Sequence, residues 1–403
     1  MDAIVVGAGP AGAALAHVLA SRGVEVLLLE RQLDFAREFR GEVLMPSGVH
    51  ALEQIGLPGW RGLPQSCPTS VELFANGRSF LREELDLAFF DGRPPIAVSQ
   101  PALLEHVVAD AARYPGFRFE RGATVRDLLR EGDRVVGVLA RTGEGEREWR
   151  APLVIGADGR SSVVRRKGGI EPERKPQLMD VVWFKLPLPA NVGDRAPARA
   201  YLGRGHLLFA YRAPDDRLQV AWVIQKGSYA ELRSHGVDRW IEDMARHVSP
   251  DLAAHFREHR SEVSRPFVLD AALDHVACWS RPGLLLLGDA AHTMSPVGGQ
   301  GLNVALRDAL VAANQLVPVF ARQGGARELD AAGRRVEAER RPEVSRIQRF
   351  QALPPRFLLN RAWWAEPARR LIPLLASRGP VQAALLRVGS GFAFGFSEVK
   401  LEV

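Results

Sequence analysis

The chain has 403 residues, of which 46% are hydrophobic and 25% charged, and this composition is that of a globular protein with two domains or one large domain carrying an insertion. The formal net charge is +6, but arginines alternate with acidic residues and no groove-reading or strand-reading motif occurs, so we expect no nucleic-acid partner. Cys67 and Cys278 are too isolated for a disulfide framework or a zinc site, which is typical of a cytoplasmic protein. The absence of a long uninterrupted apolar stretch predicts no transmembrane segment.

The first elements of the chain predict a dinucleotide site. Residues 3–6 form a short apolar run, the motif G-x-G-x-x-G follows at Gly7, Gly9 and Gly12, and a second apolar run ends at Glu30. The first glycine permits a tight turn, the second lets a pyrophosphate approach the backbone, and the third lets the helix pack closely on the strand. An acidic residue at the end of the second strand is placed to accept hydrogen bonds from a ribose.

Two later stretches extend this pattern. Residues 153–165 read LVIGADGRSSVVR and carry Asp158 and Arg165, and residues 284–309 read LLLLGDAAHTMSPVGGQGLNVALRDA. With the first glycine motif in front of them, these Asp-Gly and Gly-Asp motifs make the chain resemble the FAD-dependent aromatic hydroxylases, the p-hydroxybenzoate hydroxylase-like group A flavoprotein monooxygenases. The resemblance runs from residue 1 to about residue 315.

The resemblance implies a set of FAD-binding residues. They are Gly7, Gly9, Ala11, Gly12, Glu30, Arg31, Arg40, Gln100, Asp158, Arg165, Gly288, Asp289, Gly299, Gly301, Leu302 and Asn303. In this assignment Asp289 binds the ribityl chain, and the amides of residues 299–303 face the pyrimidine edge of the isoalloxazine. Pro296 and Gly298 shape the face where oxygen reacts, and no side chain is assigned as a base. A surface salt bridge for Arg40 and a helix cap for Gln100 remain open alternatives.

Asp289 and His292 have the spacing of an acid–base pair. The position of Asp289 at the carboxyl end of a predicted buried strand favours a ligand-binding role instead. The resemblance assigns His292 an orienting or packing role, and we interpret the whole stretch as a cradle for the flavin.

The predicted fold class is α/β: a Rossmann-like FAD-binding domain with an inserted mixed β-sheet substrate domain and C-terminal helices. The predicted FAD-binding domain comprises residues 1–69, 97–177 and 265–345. Residues 70–96 and 178–264 form the predicted substrate-binding domain, and residues 346–403 the C-terminal helical segment. The sequence itself indicates a hairpin at residues 70–81, three strand-like runs within 178–225 and a helical stretch over 237–263.

The aromatic residues of the second sheet are candidates for the substrate pocket. They are Trp183, Tyr201, Phe209, Tyr211 and Trp222. Strand alternation must point some of them toward the flavin and others away, and the sequence does not determine the register. Packing in the core is the alternative for each.

The resemblance implies a cytoplasmic, NAD(P)H-consuming monooxygenase of secondary metabolism that inserts one oxygen atom of O2 into an aromatic or polyketide-like small molecule. FAD is bound, NADH or NADPH visits transiently, and a C4a-hydroperoxyflavin transfers the oxygen. The chain is expected to be a monomer or homodimer. Alternatives on the same fold are a reductase of an isoprenoid or lipid double bond, a flavin-dependent halogenase, and a non-catalytic FAD-holding subunit. The WxWxIP segment of tryptophan halogenases does not occur in the sequence.

Overall fold

A computed structural model describes residues 1–36, 42–75, 77–175, 177–190, 192, 196–203, 205–360, 379 and 389–403. The strands in chain order are β1 (Ala3–Val6), β2 (Val26–Glu30), β3 (Val43–Leu44), β4 (Gln65–Ser66), β5 (Ser70–Ala75), β6 (Arg78–Glu84), β7 (Ile96–Val98), β8 (Phe117–Arg121), β9 (Thr124–Glu131), β10 (Arg134–Thr142), β11 (Gly145–Arg150), β12 (Leu153–Gly156), β13 (Pro172–Lys175), β14 (Met179–Pro187), β15 (Ala198–Gly203), β16 (His206–Arg212), β17 (Arg217–Gln225), β18 (Phe267–Asp270), β19 (Leu273–Val276), β20 (Ser280–Arg281) and β21 (Leu284–Leu286).

The helices are α1 (Pro10–Ser21), α2 (Pro46–Ile55), α3 (Gln100–Ala111), α4 (Val163–Lys167), α5 (Tyr229–Ser234), α6 (Gly236–Ala245), α7 (Pro250–Glu258), α8 (Gln300–Ala321), α9 (Ala326–Gln351) and α10 (Leu353–Leu358). Short 3-10 turns occur at Trp60–Gly62, Arg260–Glu262, Gly288–Ala290 and Val297–Gly299.

The first sheet has the strand order β20-β21-β12-β1-β2-β8, and its neighbours from β21 to β8 are parallel. Its central strands are buried along their whole length, as apolar strands covered on both faces must be. Parallel strands bring their carboxyl ends to one edge, so the turn after β1 lies beside the turns after β12 and β21. This edge therefore gathers Gly7, Asp158 and Asp289.

The second sheet has the order β18-β14-β17-β16-β15-β5-β6. The predicted hairpin is β5 and β6, with Gly77 at φ +75° in the turn. The predicted single run over residues 198–212 is instead the hairpin of β15 and β16, with Gly205 at φ +77°. Gly203 and Gly205 within this run are the sequence signal for a turn, and the hairpin agrees with that interpretation.

Three predicted boundaries differ from the structure. Strand β18 pairs with β14, so residues 267–270 extend the second sheet although the prediction placed them in the FAD-binding domain. Helix α9 continues to Gln351 across the predicted boundary at 345/346. The helical stretch predicted over 237–263 is divided between α6 and α7, because Pro250 begins a new helix. The proposed division into domains stays a prediction.

Helix α8 is long and apolar enough to cross a membrane by length and composition alone, a test that core helices also pass. It lies inside the protein, where it packs against α1, α2 and α9. It also carries the buried side chains of Arg307 and Asp308. Both side chains have oppositely charged partners, and a charged side chain that is buried on a core helix requires such a partner.

Candidate active site

The turn after β1 leaves room for a phosphate group. Gly7 has φ +98°, a conformation that favours glycine. A Cβ atom on Gly12 would lie 2.0 Å from the Gly7 carbonyl oxygen, so only glycine permits this helix to start so close to the strand. A Cβ atom on Gly9 would meet no heavy atom of the described residues within 4 Å. The open side of the loop at Gly9, in front of the α1 N-terminus, can accept a pyrophosphate.

Glu30 ends β2 beside this loop. Its Oε2 accepts the backbone N–H of Ala8 at 2.9 Å, and its Oε1 accepts that of Gln32 at 3.1 Å. The side chain is buried, whereas the neighbouring Arg31 is exposed and Ala11 is buried in the first turn of α1. Glu30 therefore holds the phosphate loop against β2, at the place where the ribose hydrogen bond was predicted.

The Asp-Gly turn after β12 is joined to the Gly-Asp turn after β21. Asp158 accepts the N–H groups of Val163 at 2.7 Å and Val164 at 3.1 Å, and thereby caps α4. The buried Arg165 guanidinium donates to the carbonyl of Ala290 at 2.9 Å and to that of Arg160 at 2.7 Å. One buried arginine therefore fixes both turns relative to each other.

Asp289 and His292 are not paired with each other. The Asp289 carboxylate is 30% exposed and lies 3.3 Å from Arg160 Nε. His292 is 1% exposed in its side chain, and its Nε2 lies 2.7 Å from Asp308 Oδ2 on α8. Asp308 Oδ2 also accepts the N–H of Gly288 at 3.2 Å. Asp308 thus anchors the turn and leaves the Asp289 carboxylate at its surface.

Asp308 belongs to a buried charge cluster, which comprises His292, Arg307, Asp308, Arg340 and Glu343. Arg340 donates from Nε to Asp308 Oδ1 at 2.8 Å and also pairs with Glu343, which accepts Arg307 Nη1 at 2.5 Å. Burial by itself would raise the pKa of Asp308, but His292 and Arg340 outweigh this effect, so the pKa lies below its usual range. The cluster therefore consists of charged groups that compensate one another.

The start of α8 is held open by two glycines. Gly298 has φ +74° and Gly299 φ +62°, and a Cβ atom on Gly301 would meet no described heavy atom within 4 Å. The Asn303 side chain donates to the Gly299 carbonyl at 2.8 Å and accepts the N–H of Met45 at 2.8 Å. The first-turn amides of a helix have no intrahelical partner. The structure therefore presents a rigid helix N-terminus that can bind an electron-rich group.

The remaining predicted residues of this region lie at the same helix start. Pro296 immediately precedes the Val297–Gly299 turn, and Leu302 is buried in the first turn of α8. Phe392, in the C-terminal segment, packs on Gly298, since a Cβ atom there would lie 2.8 Å from the ring. Gln300 Nε2 also donates to the Phe392 carbonyl at 2.8 Å. The C-terminal segment thus supports the turn that carries the two glycines.

The second sheet turns one face toward this turn. Trp183 and Val297 both pack against one apolar cluster, and the strand register places Phe209 and Tyr211 on the same face as Trp183. Tyr201 and Trp222 belong to the cluster on the opposite face, under α6 and α7. The structure therefore separates the five predicted pocket aromatics into two groups.

Tyr201 and Trp222 lie on the sheet face opposite the one that carries Trp183, which corrects their prediction as pocket residues beside the flavin. The Tyr201 hydroxyl lies 3.0 Å from Ser249 Oγ, and the Trp222 ring stacks on Trp240 at 6.2 Å. Trp222 also lines a cavity of about 690 Å³ on this helix-covered side. The cause is the period of two along a strand, which sends neighbouring side chains to opposite faces.

The two alternatives left open for Arg40 and Gln100 have different outcomes. Arg40 lies outside the residues that the structure describes. Gln100 is the first residue of α3, but the cap is Ser99, whose side chain accepts the N–H of Ala102 at 3.4 Å. Gln100 is therefore not the capping residue, and its role toward FAD stays a prediction.

Sequence analysis missed three functions of side chains near the site. These are the contact of Arg160 with Asp289, the bridge from Asn303 to Met45, and the anchoring of the Gly-Asp turn by Asp308. A signal for the last was present, because adjacent Arg307 and Asp308 interrupt an otherwise apolar helix. The other two depend on contacts between distant segments.

The phosphate loop, the Asp289 turn and the sheet that faces them define the fold of an FAD-binding protein. The chain belongs to the family described as FAD binding domain, which it matches over residues 1–351. It is 32% identical over 389 residues to 6-methylpretetramide 4-monooxygenase of Streptomyces rimosus, covering 96% of this chain and 91% of the relative. These matches show an FAD-dependent monooxygenase, an oxidoreductase, as the resemblance implied.

Two solved structures share the fold. p-Nitrophenol 4-monooxygenase PnpA of Pseudomonas putida superposes with a TM-score of 0.79 at 20% identity, covering 98% of this chain and 99% of that chain. PqsL of Pseudomonas aeruginosa, in complex with 2-aminobenzoylacetate, superposes with a TM-score of 0.77 at 23% identity, covering 91% and 98%. The predicted α/β fold class is thereby confirmed.

Proposed function

We propose that the protein uses FAD and NADH or NADPH to insert one oxygen atom of O2 into an aromatic or polyketide-like small molecule. The observation that carries this proposal is the position of the second sheet, whose aromatic face lies over the turn before α8. The printed name of the 32% identical relative, a monooxygenase of 6-methylpretetramide, supports the same substrate class.

The cofactor roles of individual residues are part of this proposal. Gly7, Gly9 and Gly12 hold the pyrophosphate against α1, and Glu30 binds the adenosine ribose. Asp289 accepts hydroxyl groups of the ribityl chain, which its exposed position permits. The turns with these residues are joined by Arg165 and Asp308, so contacts within the protein fix their relative positions.

Reduced FAD, when bound, would supply the electrons that activate O2. The chain's own residues position the ring system and exclude water. The amides at residues 301–303 would stabilise negative charge on the ring, because the helix N-terminus is the positive end of the helix dipole. Pro296 and Gly298 offer no side-chain proton to the face they shape. Trp183 and Phe209 form an apolar surface for a planar substrate.

Oxygen uptake tests the proposed function. The purified holoprotein is mixed with NADH or NADPH and a panel of phenolic polyketides while both O2 and the reduced nicotinamide are measured. We expect at least one aromatic compound to give equimolar consumption of both and a product heavier by one oxygen atom. Turnover that proceeds equally well without O2 would instead support the reductase alternative.

Replacing Asp289 with alanine should weaken FAD binding about tenfold or more, because a charge-assisted hydrogen bond to the ribityl chain contributes roughly 1.5–3 kcal/mol. Flavin fluorescence during titration of the apoprotein measures the affinity. The control is Asp133→Ala, at an exposed turn between β9 and β10, which should leave the affinity unchanged.

His292→Ala should lower the melting temperature, whereas Asp289→Ala should lower the FAD affinity. A His292→Ala protein that kept its stability and its FAD but lost oxygen transfer would contradict the structural role of this histidine.

A further inference from the structure

We infer that Glu42, Tyr211 and Gln219 form a polar subsite that binds a hydroxyl group of the aromatic substrate, with Glu42 accepting its proton. This inference rests on the proposed function and names the groups that recognise the substrate. The three residues come from different elements: Glu42 precedes β3, Tyr211 lies on β16, and Gln219 lies on β17.

Glu42 lies next to the cofactor cradle. Its carbonyl accepts the N–H of Val98 at 2.9 Å, and the carbonyl of the following Val43 accepts Asn303 Nδ2 at 3.2 Å. Asn303 belongs to the first turn of α8. These contacts fix the backbone of Glu42 and Val43 between β7 and the start of α8.

Tyr211 and Gln219 face Glu42 from the second sheet. They are direct cross-strand partners, and Lys185 is the partner of Gln219 on the other side, so all three side chains lie on the sheet face that carries Trp183. The charge of Glu42 acts on the Tyr211 hydroxyl, and Lys185 acts on Glu42. Ser66 on β4, which shares a small three-stranded sheet with β3 and β7, donates its hydroxyl to the carbonyl of Arg212, the residue after Tyr211. This contact holds the end of β16 against the small sheet that Glu42 precedes.

Each of the three residues buries a polar atom that has no hydrogen-bond partner in the described part of the chain. These atoms are Glu42 Oε2, the Tyr211 hydroxyl oxygen and Gln219 Oε1. Glu42 is 8% exposed and Gln219 0%. Leaving such groups unpaired costs free energy, and native proteins do so rarely. Two unpaired groups on this sheet face, with a third on Glu42 nearby, indicate a site for a ligand with its own polar group.

The surroundings suit Glu42 to proton transfer. Burial raises its pKa to about 7, and this rise exceeds the lowering caused by Lys185; Asp215, which lies 2.8 Å from Lys185 Nζ, raises it further. A general base is most effective when its pKa is near the working pH. Burial also raises the pKa of Tyr211, so its hydroxyl stays protonated and can donate.

The proposed proton transfer takes place between the substrate hydroxyl and Glu42. The O–H bond of the substrate breaks, its proton forms a bond to Glu42 Oε2, and the electron pair remains on the substrate oxygen. The Tyr211 hydroxyl donates to the resulting oxyanion, and the nearby Lys185 charge stabilises it. The ionised ring is richer in electrons and therefore reacts more readily with an electrophilic oxygen atom.

Binding of m-nitrophenol to the holoprotein tests the inference without NAD(P)H or turnover. The ionised form of this phenol absorbs at longer wavelength than the protonated form. Difference spectra are recorded at a pH slightly above 7, where Glu42 is mostly ionised and the free probe is still mostly protonated. We expect the wild-type protein to bind the probe in its ionised form. Glu42→Gln should reduce the ionised fraction about tenfold, and Tyr211→Phe should raise the apparent pKa of the bound probe.

The matched control is Glu83→Gln, at an exposed position on β6 of the same sheet. It should bind the probe with the same ionised fraction as the wild type. Flavin absorbance confirms that each variant keeps its cofactor. A wild-type protein that leaves the probe protonated or unbound overturns the inference, and so does a Glu42→Gln spectrum equal to that of the wild type. Failure of O2 uptake with retained probe ionisation would overturn the proposed function alone.

Discussion

Arg340→Ala should lower the free energy of unfolding by about 3–5 kcal/mol, which is the range for breaking a buried ion pair by removal of one partner. The Arg340 side chain is 0% exposed and compensates the carboxylates of both Asp308 and Glu343. Its loss leaves Arg307 as the ion-pair partner of Glu343, and the His292 side chain as the remaining side-chain partner of Asp308. Urea denaturation of the wild-type and variant proteins measures the difference in the free energy of unfolding. Equal m-values in the two experiments show that the change is one of stability.

The loss should extend to the cofactor, because Asp308 also holds the Gly288 backbone in place. The Arg340→Ala protein should therefore gain less stability from added FAD than the wild type does. Arg334→Ala, at an exposed position on the same helix, provides the comparison and should change stability by less than about 0.5 kcal/mol. A similar small effect of Arg340→Ala would show that the cluster does not stabilise the fold.

Glu42→Gln should make the protein more stable than the wild type at pH 8, by up to about 3 kcal/mol. The pKa of Glu42 is about 7 in the folded protein, against a usual value of 4.5. A carboxyl group with a raised pKa binds its proton more tightly in the folded state. Its stabilising contribution is therefore present below pH 4.5 and is lost as the pH rises from 4.5 to 7.

Chemical denaturation of the two proteins at a series of pH values measures this difference. The curves should converge near pH 4.5 and separate as the pH rises, with the variant above the wild type. Glu83→Gln should show no such separation, since its side chain is exposed. Parallel curves for wild type and Glu42→Gln would mean that the Glu42 carboxyl is not destabilised by burial.

These two expectations concern residues that sequence analysis did not assign. Arg340 and Glu343 belong to a charged helix that the sequence indicates clearly, but its pattern does not distinguish a buried arginine from the exposed ones beside it. Glu42 lies two residues after Arg40 in the motif FRGEVLMP, yet only its position near Tyr211 of β16 shows which polar groups it meets.

The local parts of the cofactor site were predictable because each is contained in a short stretch of backbone. Gly7 and Gly12 are required by one tight turn and one close helix start, and both requirements arise within a few residues. The strand before Asp289 is recognisable as a buried apolar run ending in a turn. Such features depend on steric limits and periodicity, which a sequence displays directly.

The tertiary structure decided which side chains meet across distant segments. It paired His292 with Asp308 instead of Asp289, turned Tyr201 and Trp222 away from the cradle, and placed Glu42 opposite Tyr211. A one-residue change of register would reverse the face of every strand residue without changing its hydrophobic pattern. The sequence alone therefore determined the cofactor class and the turns that can hold it, whereas only the packing of the second sheet and α8 determined which groups face the proposed substrate site.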